Sequence, residues 1–73
     1  MNTREAVVSR LQELMDDQGL KVSTLAIKAG MPQSTVKSIF NGASQNPGVV
    51  TLNKLCIALG TTLPAFFNSD LFK

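Results

Sequence analysis

Apolar residues recur along this chain at intervals of three and four, without the sustained apolar–polar alternation of a strand, so the pattern predicts helices and no strands. In NTREAVVSRLQELMDDQG, residues 2–19, the repeat falls on Val7, Leu11, Leu14 and Met15, with Val8 beside them. Asn2 or Thr3 can cap this segment, and Glu5 stands three residues after Asn2, as in a capping box. Gly19 is placed to end it in a left-handed turn. KVSTLAIKAG, residues 21–30, starts at Val22 or Ser23, turns Leu25, Ala26 and Ala29 inward, and stops at Gly30. MPQSTVKSIFNG, residues 31–42, places Pro32 in a first helical turn and spaces Val36, Ile39 and Phe40 as one apolar stripe, with Asn41-Gly42 as its close. ASQNPGVV, residues 43–50, is a polar turn segment. TLNKLCIALG, residues 51–60, is expected to be capped by Thr51 and to bury Leu52, Leu55, Cys56 and Leu59. Thr61 or Thr62 caps LPAFFNSDLFK, with Pro64 in its first turn and Phe66, Phe67, Leu71 and Phe72 crowded at the end. The expectation is an all-α chain of five helices.

Length limits how such helices can be held. Seventy-three residues form one core and no more. The single cysteine, Cys56, cannot form an intrachain disulfide, and the absence of histidine removes the usual zinc site. No metal or cofactor is expected. Helix packing, aided by self-association, must supply the stability. Hydrophobic residues make up 44% of the chain, but no apolar run approaches the length of a membrane span. The N-terminal stretch carries Glu5 and no continuous apolar region, unlike a signal peptide. A cytoplasmic protein with a reduced, buried Cys56 fits these features.

Charge changes the picture through its distribution. The net charge is only +2, yet Glu5, Glu13, Asp16 and Asp17 all precede residue 18, and Asp70 is the next carboxylate. The intervening stretch carries Lys21, Lys28, Lys37 and Lys54, an arrangement suited to an anionic partner. Asp16 and Asp17 oppose the dipole at the end of their helix, and nothing in the sequence accounts for them. An enzyme is not expected: there is no histidine, the cysteine lies on a core stripe, and four of the five carboxylates share one helix.

Two short helices joined through Gly30 have the form of a helix-turn-helix. LAIKAG, MPQSTVKSIFNG and NPGVVTLNKLCIALGTTLPAFF together resemble the Cro/C1-type (Xre-like) helix-turn-helix family of bacterial and phage regulators, over residues 3 to 68. The resemblance implies a compact five-helix domain of the lambda-repressor-like DNA-binding type, with the helix-turn-helix at helices two and three. Residues 1–73 are then a single DNA-binding domain, with 69–73 a short, dimer-related tail. The family often has Ser or Thr where Lys21 stands, and a phosphate-contacting Gln where Val22 stands. Val22 cannot bond a phosphate, so that role is absent or passes to Lys21 or Ser23.

The implied function is a small repressor that binds double-stranded operator DNA. Gln33, Ser34, Lys37 and Ser38 are the implied base readers, because the first turns of the third helix would point at base edges in the major groove. Lys21, Ser23, Thr35, Asn41, Asn46 and Lys54 are the implied backbone contacts. The plainer alternative is that these are solvated polar residues on an amphipathic helix and that Asn46 satisfies its own turn. The expected partner chain is a second copy, docked through the fifth helix and the tail. The competing function is an antitoxin-like or accessory module with the same fold that binds another protein.

Overall fold

The computed structural model describes residues 2–41 and 48–72. Among them the chain is all-helical: α1 (Thr3–Gln18), α2 (Val22–Ala29), α3 (Gln33–Phe40), α4 (Val49–Ala58), α5 (Leu63–Phe67) and a closing 3-10 turn, Asp70–Phe72. None of these helices is long and apolar enough to cross a membrane.

Local chemistry sets most of the boundaries. Asn2 caps α1, its Oδ1 accepting from the Glu5 amide at 2.8 Å. Thr62 caps α5 through its Oγ1, which accepts from the Ala65 amide at 3.3 Å, and Pro64 lies in the first turn. Gly30 ends α2 with φ near 67°, a conformation that costs a side-chain-bearing residue but not glycine. The turn is then fastened by the Met31 amide, which donates to the Ala26 carbonyl at 3.0 Å. That turn lets the chain leave α2 and begin α3 three residues later.

Two boundaries differ from the sequence expectation. Pro32 is the residue that caps α3, not one in its first turn. Its ψ of 139° is extended, as a cap requires, and its carbonyl accepts from the Thr35 and Val36 amides. Thr51 does not cap α4. The helix starts three residues earlier, with Gly48 as its cap, because the Gly48 carbonyl accepts from the Leu52 amide at 2.9 Å and draws Val49, Val50 and Thr51 into the first turn.

Every helix gives side chains to one core: Val7, Leu11 and Met15 from α1, Leu25 and Ala26 from α2, Val36 and Ile39 from α3, Leu52, Leu55 and Cys56 from α4, Leu59 just beyond it, and Phe66 from α5. Leu14, Ala29 and Phe40 are half-buried against it. α2 packs on both α3 and α4, α4 on α5, and the 3-10 turn folds back onto α1. The crowded phenylalanines therefore separate. Phe66 is fully buried, Phe72 is half-buried, and Phe67 stays 38% exposed, its ring edge-on to both of the others.

Two long polar side chains of α1 close the far ends of other helices. Arg10 Nε donates to the Phe66 carbonyl at 3.0 Å and Nη2 to the Ala65 carbonyl at 3.3 Å. Gln18 Nε2 donates to the Leu59 carbonyl at 2.6 Å. Carbonyls at a helix C-terminus lie beyond the reach of the helix's own amide ladder, so α1 supplies donors from outside. Arg10 also pairs with Glu13, one turn along.

The contrast between those interactions is testable. Arg10→Ala should lower the unfolding free energy by about 2 kcal/mol, because it leaves the half-buried Phe66 carbonyl without its charged donor. Glu13→Ala removes only a solvent-facing pair and should cost no more than about 0.5 kcal/mol. Urea denaturation of both variants checks this, and equal reductions would contradict it. The core thiol gives a second test. Burial pushes Cys56 above its ordinary value of 9.0, so the native state keeps it neutral. The unfolded chain ionises it at lower pH. Its contribution therefore leaves stability unchanged below about pH 9 and lowers it as pH rises further. At pH 8 a thiol reagent should label Cys56 slowly in native protein and rapidly in urea, and equal rates would place the side chain outside the core.

Candidate nucleic-acid interface

α3 is eight residues long and has two faces. Val36 and Ile39 are sunk in the core. At 100° per residue, Gln33, Ser34, Lys37, Ser38 and Asn41 fall together on the opposite side. Gln33, Ser34, Lys37 and Asn41 are exposed, and Thr35 is exposed on the flank. Ser38 is half-buried, and its hydroxyl donates to the Ser34 carbonyl at 2.8 Å. That bond uses its proton and leaves its lone pairs open.

Other implied DNA-binding residues lie on neighbouring helices. Lys21 is exposed at the start of α2, with Ser23 half-buried in the first turn. Lys54 is exposed on α4. Asn46 lies outside the described residues. Lys28 is also exposed, so all four lysines of the acid-free stretch reach solvent. The carboxylates are elsewhere, four on α1 and Asp70 in the final turn. Asp16 accepts a hydrogen bond from Gln12 at 2.8 Å, but nothing in the structure explains why it and Asp17 sit at a helix C-terminus.

A second contrast separates the same helices. α1 and α5 start with a side-chain cap, whereas α2, α3 and α4 start at Lys21, Pro32 and Gly48, none of which bonds the following amides through a side chain. First-turn amides without side-chain acceptors, at the positive end of a helix dipole, favour an anionic oxygen. The side chains on this surface are donors and acceptors of the kinds that bond phosphates and base edges.

The sequence pattern did not single out several exposed apolar residues. Ile27 on α2 and Val49, Val50 and Ile57 on α4 are each about two-thirds or more exposed. The available signal was their position off the core stripe: Val50 and Ile57 lie opposite Leu52, Leu55, Cys56 and Leu59. Arg10 and Gln18 had no sequence signal, since a side chain that caps a distant helix has no local spacing rule.

No curated protein matches the chain in sequence. Among solved structures, the chain is similar to the crystal structure of the prophage Lp1 protein 11, with 35% identity and a TM-score of 0.86 over 99% of this chain and 95% of that one. The family profile for the Cro/C1-type helix-turn-helix DNA-binding domain matches residues 10–65, which include the whole α2–turn–α3 unit. The chain belongs to the Cro/C1-type helix-turn-helix DNA-binding family.

Proposed function

We propose that this chain is a sequence-specific transcriptional repressor that reads an operator by placing α3 in the major groove. The observation that carries this reading is the outward face of α3: an acid-free row of Gln33, Ser34, Lys37 and Ser38, held by buried Val36 and Ile39. Gln33 has the paired donor and acceptor that suit an adenine edge, and Lys37 suits guanine acceptors or a phosphate. Ser38 donates to its own helix, so toward a base it acts as an acceptor, for adenine N6 or cytosine N4. Lys21, Ser23, Thr35, Asn41, Asn46 and Lys54 are assigned to the DNA backbone, joined by the amides that open α2, α3 and α4. Backbone contacts position the protein, and base contacts specify the site.

The repressor acts as a homodimer. One recognition helix and a few lysines cover about half a turn of DNA, too little to discriminate against a genome of competing sites. Two copies place two α3 helices about 34 Å apart, one turn of the duplex. Of the apolar residues expected to pair at α5 and the tail, Phe66 is buried and Phe72 half-buried, which leaves Phe67 as the most exposed ring. The antitoxin-like reading draws its support from the exposed apolar residues of α2 and α4.

Two measurements distinguish these readings. Gln33→Ala should weaken binding to a selected site by about 1–3 kcal/mol and relax preference at one base pair per half-site. Unchanged affinity and preference would remove Gln33 from the reading face. Lys54→Ala should weaken all duplexes alike and lower the salt slope by about one for each phosphate left unneutralised, and Lys37→Ala should also shift base preference if it reads guanine. A Lys37→Ala, Lys54→Ala protein that binds duplex DNA as well as the parent, with the same salt dependence, would favour the protein-binding alternative.

A further inference from the structure

We propose that Ser34 and Ser38, one turn apart on the outward face of α3, read DNA unequally: Ser38 selects a base pair by a major-groove amino group, adenine N6 or cytosine N4, and Ser34 selects none. The inference rests on the base-reading role proposed above and separates the hydroxyl that carries sequence information from the one that adds affinity alone.

The support is a difference between two side chains of one kind. The Ser38 hydroxyl donates to the Ser34 carbonyl at 2.8 Å. The Ser34 hydroxyl has no hydrogen-bond partner among the described residues. Ser38 is half-buried and Ser34 is exposed. Half-burial lowers the local dielectric and strengthens the bond that Ser38 makes. Buried Val36 and Ile39 hold the helix that carries both.

A serine hydroxyl has one proton and two lone pairs. In the major groove adenine N6 and cytosine N4 present protons, whereas guanine O6 and N7 and thymine O4 present lone pairs. Against an amino group, Ser38 accepts from the base and keeps its bond to Ser34, so one hydroxyl makes two bonds. Against a base acceptor, it must turn its proton away from Ser34, so it makes one. The Ser34 carbonyl keeps its ladder bond from the Ser38 amide in both cases, so neither state leaves it orphaned. The difference is one ordinary hydrogen bond, a preference of roughly two- to tenfold for the amino group. The Ser34 hydroxyl gives up no bond by rotating, so it donates to an acceptor or accepts from an amino group at equal cost. It strengthens binding without fixing a base.

The test starts from a duplex recovered from a random pool and from the base pair whose preference Ser38→Ala relaxes. The amino-bearing base of that pair is replaced by an analogue without the amino group, purine for adenine or 2-pyrimidinone for cytosine. This should weaken binding of the parent by roughly two- to tenfold more than binding of Ser38→Ala. Ser38→Thr, whose hydroxyl reaches the same carbonyl four residues back, should respond as the parent does. Replacing the purine of the pair by its 7-deaza analogue, which lacks the N7 acceptor, should affect parent and Ser38→Ala alike. Ser34→Ala should weaken binding and relax no base pair. A parent-specific loss on the 7-deaza duplex would mean that Ser38 donates and would overturn the assignment, as would a base pair relaxed by Ser34→Ala. If Ser38→Ala relaxes no base pair while Gln33→Ala still does, Ser38 is not a reader and base reading by α3 stands. A parent that selects no consensus overturns both. If Ser38→Thr does not fold, the alanine and analogue comparison decides alone.

Discussion

α3 exists because Val36 and Ile39 are buried. Eight residues cannot hold a helix in water, since nucleation costs more than so few hydrogen bonds return. Pro32 adds no side-chain cap. What fixes α3 is the core formed with Leu25 and Ala26 of α2 and Leu52, Leu55 and Cys56 of α4. Burying one side of so short a helix orients the other side as well, so the same packing that makes α3 stable turns Gln33, Ser34 and Lys37 to solvent.

The remaining helices divide the labour. α1 carries most of the acid and serves the fold: it supplies Val7, Leu11 and Met15 to the core, and its Arg10 and Gln18 satisfy carbonyls at the ends of α5 and α4. α2, α3 and α4 carry exposed lysines and no carboxylate. The carboxylates are thus kept off α2, α3 and α4, and a polyanion meets no repelling carboxylate along that stretch. The uncapped starts of α2, α3 and α4 fit the same division, because a side-chain cap there would compete with an incoming phosphate oxygen.

The helices and their core faces were legible because they follow from local spacing. The stripes of α1 through α4, the stops at Gly19 and Gly30 and the Asn2 cap all depend on residues within a turn or two of each other, while Gly42 lies outside the described residues. Pro32 and Thr51 were misplaced because a cap and a first-turn residue differ by a single backbone torsion, which composition does not determine. Arg10 and Gln18 were invisible because their partners lie 56 and 41 residues away. The outward face of α3 was legible as a polar stripe, but the half-burial of Ser38 and its bond to Ser34 were not. The exposed ridge of α4 was hidden by its own apolar character, since an apolar residue in a sequence reads as core until a fold shows which side it occupies.

The role proposed for the outward face of α3 is to read DNA sequence. Selection of bound duplexes from a random pool measures this directly. The expected result is a palindromic consensus whose half-sites lie one helical turn apart, with defined bases in each half-site matching the side chains of one α3. Recovery of a pool no different from the input, under salt conditions in which the protein still binds duplex DNA, would contradict it.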